Sequence, residues 1–260
     1  MALLFSDLDN TLVYSHRWNI KMPNIVVEYI DGREQGYMTK YTYDFLKAAK
    51  WLELVPVTTR TEEQYKRLTF FSDIRMKYSL VCNGGKLLVN GLEERNWSFE
   101  TNQMAEKHLE KLNQAVNVLD RLSDIGEIHH PENYMFYAKC SNPGIICDQL
   151  KDMVDCRSVT VEHDRHKVYL FTNGVDKGTA LERFKERFSI DKVIASGDDT
   201  MDVPMLDIAD VALSGSRIFE DIKCAEKLNV GMGIISDRIC DFMKQIYIQE
   251  YNSKGNGRVW

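Results

Sequence analysis

The sequence predicts an α/β fold: a doubly wound, mostly parallel sheet with helices on both faces and a smaller α+β domain inserted into it. Three observations predict it. Short apolar runs ending on glycine, hydroxyl or acidic residues alternate with helix-period segments at both ends of the chain, the pattern of parallel strands buried on two faces. From 86 to 167 that alternation gives way to a mixed order of strands and helices, which marks an insertion. The 260 residues, 44% of them hydrophobic, are also enough to bury a large core and a smaller one. The expected division is 1–85 with 168–260 for a Rossmann-like core, and 86–167 for the inserted unit.

Leu3-Leu4-Phe5-Ser6 reads as a buried strand that stops on Asp7-Leu8-Asp9. At the turn leaving a strand, two carboxylates spaced i, i+2 converge on one ligand, and their repulsion calls for a divalent cation or a shared proton. A solvated acidic loop would carry the same letters. Next, 24–30 and 36–38 flank Asp31-Gly32, a hairpin signal because that dipeptide accepts the positive backbone angles of a tight turn. Thr42 is placed to cap a helix over 42–52 that turns Phe45, Ala48, Ala49 and Leu52 to one side. The apolar run 54–57 then ends on Thr58-Thr59-Arg60, ahead of a helical stretch over 62–71. Hydroxyls and free N–H groups at a helix start suit a phosphate, although Thr58, Thr59 or Thr61 serves equally well as a simple cap.

After Leu80-Val81-Cys82 and Asn83-Gly84-Gly85, the insertion reads as a strand over 87–89 and a helix over 101–122, with Leu109, Leu112, Val116, Leu119 and Leu122 at helical spacing. A strand over 134–139, a helix over 145–154 and strands over 158–162 and 167–171 follow. His129-His130-Pro131 lacks the i, i+4 spacing of a zinc-binding helix, and Glu162-His163-Asp164-Arg165-His166-Lys167 reads as a solvated turn. Trp18, Trp51 and Trp97 read as packing residues, whereas Arg157, Arg165 or His130 would contribute if the insertion contacts a sugar. Gly174-Val175-Asp176-Lys177-Gly178 opens a helix over 179–188, and the strand over 192–197 runs through glycine into Asp198, Asp199 and Asp202. Taken singly, the lysine is a surface charge and the acids complement a helix dipole. Strands over 211–213 and 230–235 alternate with helices near 217–228 and 237–251, and the polar tail over 253–258 is expected to be loosely held.

With 33 Lys and Arg against 39 Asp and Glu, a net charge of -6 and no basic stripe, a nucleic-acid partner is disfavoured. The six cysteines show no ligand-like spacing, and no signal peptide or long apolar span is evident. They read as reduced thiols of a cytoplasmic protein with no membrane partner, monomeric or weakly homo-oligomeric.

In chain order, Asp7-Leu8-Asp9, Thr58, Lys177 and Gly197-Asp198 through Asp202 resemble the four motifs of the haloacid dehalogenase superfamily of phosphohydrolases, over nearly the whole chain. Asn83-Gly84-Gly85 resembles the stretch before the cap in the branch that holds the Cof-type and sucrose-phosphate phosphatases; Ser6-Asp7-Leu8-Asp9-Asn10-Thr11-Leu12-Val13 is most similar to the latter. The resemblance implies a Mg²⁺-dependent phosphomonoester hydrolase that acts on a small phosphorylated metabolite, such as a sugar phosphate, through an aspartyl-phosphate. It makes Asp7 the nucleophile and Asp9 the acid and base, with Thr58 and Lys177 on the phosphoryl oxygens. Asp7, Asp9, Asp198 and Asp202 form the implied metal group, Asp9 through its carbonyl and Asp202 from behind. Asn10, Thr11, Thr59, Arg60, Asn83 and Gly84 are the expected substrate contacts, and 86–167 is the expected lid, setting substrate choice. Thr59 replaces a glycine common in relatives and Met201 an asparagine, so the substrates of those relatives do not carry over directly. A phosphomutase of the same fold and a non-catalytic regulatory module are the rival readings.

Overall fold

The computed structural model describes residues 2–255, with side chains through 249. Five parallel strands form the core sheet in the spatial order Lys227–Asn229, Val211–Ser214, Ile194–Gly197, Ala2–Ser6, Leu52–Pro56. Ala2–Ser6 has the next core strand of the sequence on one side and Ile194–Gly197 on the other, so the winding reverses between these two. Such a reversal opens a crevice at the carboxyl ends of the strands. Ser6 lies opposite both Ser196 and Pro56, so the three central strands end level with one another. Successive side chains of the first strand go to different cores: Leu4 packs with Leu8, Leu12 and Ile239, and Phe5 with Val55, Leu181 and Phe184. Burial on both faces is why these segments read as continuous apolar runs.

The hairpin Asn24–Ile30 with Arg33–Thr39 follows the first strand, its turn made by Asp31 at φ 51° and Gly32 at φ 72°. Register shifts on either side of Glu28 mark a bulge there. Thr39, not Thr42, caps the next helix, which spans Lys40–Ala48 and buries Phe45 and Leu46 while Ala48 stays exposed. The stretch expected as one helix over 62–71 breaks into Glu62–Lys66, opened by a Thr61–Gln64 capping box, and a 3-10 turn at Thr69–Ser72.

The second sheet is antiparallel, in the order Val159–His163, Lys167–Thr172, Met135–Cys140, Ile125–Glu132. Helices Leu109–Leu119 and Pro143–Met153 cover one face of it, where Leu112, Leu119, Ile146, Leu150, Val168 and Leu170 meet. The alternate residues Tyr137, Lys167 and Tyr169 go to the other face, over the ends of the core strands. The expected helix over 101–122 is two, Arg95–Glu106 and Leu109–Leu119, and the first packs on the core side through the buried Trp97. Lys86–Val89 pairs with Tyr78–Val81 rather than with the second sheet, whereas Lys167–Thr172 is central to that sheet. The second sheet therefore occupies 125–172, inside and beyond the expected 86–167.

At the far end of the sheet the strand expected over 230–235 is a loop, and Lys227–Asn229 pairs in its place. Only a 3-10 turn at Phe219–Asp221 stands where a helix near 217–228 was expected. The last helix spans Ser236–Gly255, and the tail over 256–258 lies outside the described residues. All six cysteines are unpaired, and no described helix is long and apolar enough to cross a membrane.

Candidate active site

Asp7, Thr58 and Asp198 each stand just past the carboxyl end of a core strand. Their loops are held level by Asp7 N–H donating to Ser196 O at 2.9 Å and Val57 N–H to Ser6 O at 2.8 Å. Lys177 opens the helix Lys177–Phe188, capped by Asp176, and its buried ammonium donates to Asp7 Oδ1 at 2.6 Å and Asp202 Oδ1 at 2.5 Å. Asp202 is fully buried, and its second oxygen accepts from the backbone N–H of Asp198 and Asp199, each at 2.9 Å. Gly197 makes this possible: a β-carbon there would come within 2.4 Å of the Asp202 side chain. Thr11 donates to Asp198 Oδ1 at 3.0 Å.

Asp7, Asp198 and Asp202 bring carboxylate oxygens within 4.8 Å of one another, and among the described residues Lys177 is the one cation in salt-bridge contact with them. Burial raises the Asp7 pKa well above the usual carboxylate range; Lys177 opposes the shift, and Asp202, Asp198 and Asp9 add to it. Asp198 is pushed up to about 7, by burial and then by Asp202 and Asp199. A cluster this short of positive charge, made only of oxygen donors, fits a hard divalent cation. Among the described residues, Asp7 and Asp198 each keep one oxygen without a protein donor, whereas both oxygens of Asp202 are in use, so the first two suit direct ligation and Asp202 a supporting position.

Asp9 is held differently. Arg60 grips it in bidentate fashion, Nε to Oδ2 at 2.8 Å and Nη2 to Oδ1 at 2.7 Å, while the same guanidinium donates to both oxygens of Glu28 at 2.8 and 3.0 Å. Burial tends to raise the Asp9 pKa, but the Arg60 charge and hydrogen bonds more than offset this and hold it below the ordinary value. The Asp9 side chain is therefore engaged by Arg60 and is not part of the Asp7–Asp198–Asp202 cluster.

The remaining expected contacts divide. Asn10, Thr59 and Arg60 border a cavity of about 340 Å³ together with Asp7, Asp9 and Lys177. Asn10 sits at φ 66° and accepts from Trp18 Nε1 at 2.7 Å. Thr58 is buried and does not border the cavity; its hydroxyl oxygen accepts from Arg60 N–H at 3.1 Å, which leaves its own proton to give. Thr11, Asn83 and Gly84 do not border the cavity. Thr11 spends its hydroxyl on Asp198, Asn83 donates to Val175 O at 3.1 Å, and Gly84 packs where a β-carbon would meet that of Ala180 at 2.3 Å. Asn83 and Gly84 thus join two core loops.

The roof of the cavity comes from Tyr137, Lys167 and Tyr169 of the second sheet and Arg165 of the turn before Lys167, with Arg17 and Glu28 at its side; of these, the sequence reading named Arg165 alone as a sugar contact. Arg157 is exposed and pairs with Asp155, away from the cleft. His130 borders an adjoining groove, which shares Gln64, Arg67 and Tyr137 with the cavity but does not include the acids of the cluster.

Comparison with known proteins agrees with this architecture. A family profile described as haloacid dehalogenase-like hydrolase matches residues 76–214. Phosphoglycolate phosphatase of Nitrosopumilus maritimus (strain SCM1) is 24% identical over 155 residues, which cover 54% of this chain and 64% of that relative's length. Among solved structures, the sucrose-phosphatase of Synechocystis sp. PCC6803, determined with sucrose and phosphate, superposes with a TM-score of 0.65 at 13% identity, covering 94% of this chain and 97% of the other. A sugar phosphatase of haloacid dehalogenase subclass IIB gives a TM-score of 0.68 at 14% identity, over 95% and 100%. At these identities the structural matches carry the fold.

Proposed function

Because the chain belongs to the haloacid dehalogenase-like hydrolases, we propose that it is a Mg²⁺-dependent phosphomonoester hydrolase, working through an aspartyl-phosphate on a small sugar phosphate or similar metabolite. The observation that carries this reading is the cluster of Asp7, Asp198 and Asp202 at the floor of the crevice, with Lys177 as its cation on Asp7 and Asp202. Six unpaired thiols suit a reducing compartment.

The substrate phosphate is a dianion, and an anionic nucleophile reaches it only where cations offset the encounter. Asp7 is the nucleophile: Lys177 holds one of its two carboxylate oxygens and faces the phosphoryl oxygens, and the second oxygen of the carboxylate lets it attack phosphorus and hold a cation at once. Thr58 gives its free hydroxyl proton to the same group. A magnesium ion on Asp7 and Asp198 would add charge neutralisation at those oxygens. Asp9 is the group at hand for protonating the leaving oxygen and for deprotonating water afterwards. To carry a proton it must first leave Arg60, so its release from the Arg60–Glu28 pair precedes proton transfer. The second sheet then serves as the lid that encloses the leaving group, and its face selects the substrate.

The test is hydrolysis of p-nitrophenyl phosphate and a panel of sugar phosphates. EDTA should abolish turnover and Mg²⁺ restore it; turnover that survives exhaustive chelation rules the metal-assisted mechanism out. A second expectation needs no substrate. A carboxylate whose folded pKa exceeds its unfolded value of about 3.9 binds its proton more tightly when folded, so its stabilising contribution is complete below that value and lost as pH rises through the folded pKa. Asp198 at about 7, and Asp7 shifted the same way, therefore weaken the metal-free protein between roughly pH 4 and 7. Added Mg²⁺ should raise the melting temperature more at pH 8 than at pH 5.5. An equal rise at both would show that these acids do not hold the ion.

A further inference from the structure

Lys167 stands on the face of the second sheet that looks down into the cavity, two residues along the strand from Tyr169 and opposite Lys139 in register. Its ammonium lies 4.9 Å from the ring centre of Tyr137 and 5.7 Å from that of Tyr169. Two more cations border the same space. Arg17 donates to His166 Nε2 at 2.6 Å, and Arg165 lies 4.7 Å over the Trp18 ring. Among the described residues, none of these three cations is within salt-bridge distance of a carboxylate.

The one acid in this roof is already used. Asp164 Oδ1 accepts from the backbone N–H of His166 at 2.7 Å and of Lys167 at 2.8 Å, and Oδ2 accepts the Tyr169 hydroxyl at 2.8 Å. The floor's two cations are already paired: Lys177 lies on Asp7 and Asp202, and Arg60 on Asp9 and Glu28. Those of the roof are not. Partial burial of an ammonium without an anion costs free energy, and its desolvation lowers the Lys167 pKa, opposed by Asp164 and Asp9. A neutral polyol would leave that cost in place, whereas an anion would remove it.

We propose that Lys167, with Arg17 and Arg165 at the rim, recognises a second anionic group on the leaving group, so that the preferred substrates are phosphate monoesters of hydroxy acids or acidic sugars. This rests on the phosphohydrolase reading above and narrows its substrate class. Lys167 is then a specificity-determining residue that touches the leaving group, not the transferred phosphoryl.

Two esters with one carbon skeleton test it. 3-Phosphoglycerate carries a carboxylate where glycerol 3-phosphate carries a hydroxymethyl group, and p-nitrophenyl phosphate reports whether phosphomonoesters are hydrolysed at all. With Mg²⁺ present, kcat/KM of the unaltered protein should favour 3-phosphoglycerate by about tenfold or more, the scale of one charge-assisted hydrogen bond. Lys167→Met should remove most of that preference, mainly through KM, and Lys167→Arg should keep it; a thermal melt of each variant checks that it is folded. Equal or reversed preference in the unaltered protein overturns the inference, as does a folded Lys167→Met with an unchanged ratio. Turnover of p-nitrophenyl phosphate without a carboxylate preference leaves the phosphohydrolase reading standing and removes only this one. Failure to hydrolyse any of the three esters removes the reading beneath it.

Discussion

Asp7→Asn is expected to lower turnover of every phosphate ester by about 10⁴-fold or more, the scale on which loss of a nucleophile acts in covalent catalysis. The amide keeps the size of the side chain and can still accept from Lys177, so the expected loss is of chemistry and not of shape. Stability should move the other way. In the metal-free protein the Asp7 carboxylate is buried beside Asp202, Asp198 and Asp9, and Lys177 only partly offsets that setting. Removing its charge should leave the melting temperature equal or higher, an instance of a functional group held against its own stability. Beryllium fluoride, a mimic of an aspartyl-phosphate, should raise the melting temperature of the unaltered protein and not of the variant. A variant that retains more than about one hundredth of the turnover would show that another group attacks phosphorus.

Lys177→Met should do the reverse and damage fold and activity together. The ammonium and both its partners are buried, and Asp7 and Asp202 hold its pKa above that of an ordinary lysine against the pull of burial. Its stabilising contribution is present below the unfolded lysine pKa of about 10.4 and would be lost only above the raised folded value, so it is complete at neutral pH. Removing one partner of a buried pair costs about 3–5 kcal/mol, which for a chain of this size corresponds to roughly 10 °C of melting temperature. The cost should shrink as pH falls and the exposed repulsion among Asp7, Asp198 and Asp202 is relieved by protonation. A melt of Lys177→Met within a degree of the parent at pH 7.5 would mean that the lysine is not a structural keystone of the acid cluster.

The core strands and the acids at their ends were legible because a strand buried on two faces is written as an apolar run with an abrupt polar stop. Asp7 at the end of Ala2–Ser6 and Asp198 at the end of Ile194–Gly197 are of this kind. Less regular elements were not legible. Ile125–Glu132 carries two histidines and a proline on a half-exposed edge of its sheet, and Lys227–Asn229 is an edge strand of three residues. Neither shows a period that a short window can detect. The Arg60 pairing with Asp9 and Glu28 was also hidden, because it joins a strand end to a hairpin bulge that only the fold brings near. Lys167 did leave a trace. It shares the alternation of Tyr169 and Phe171, so a charge falls on the aromatic face of a strand, a pattern that the reading as a solvated turn passed over.

Tyr14 gives the site a place in time as well as in space. Its buried hydroxyl donates to Thr11 O at 2.8 Å and accepts from the backbone N–H of Ile235 and Ser236, each at 3.0 Å, while Thr11 in turn donates to Asp198. The loop that follows Asp7 is therefore tied off by residues that leave the ribosome only after all four acids have emerged. Domains form as units during synthesis, and contacts distant in sequence close late because the chain between them must first be ordered. A nascent chain that already holds Asp7, Asp9, Asp198 and Asp202 still lacks the tether that fixes the loop between them. Ribosome-bound chains ending before Ile235 should accordingly hold the acids without a settled loop after Asp7, and the competence for hydrolysis proposed above should arrive in a single late step.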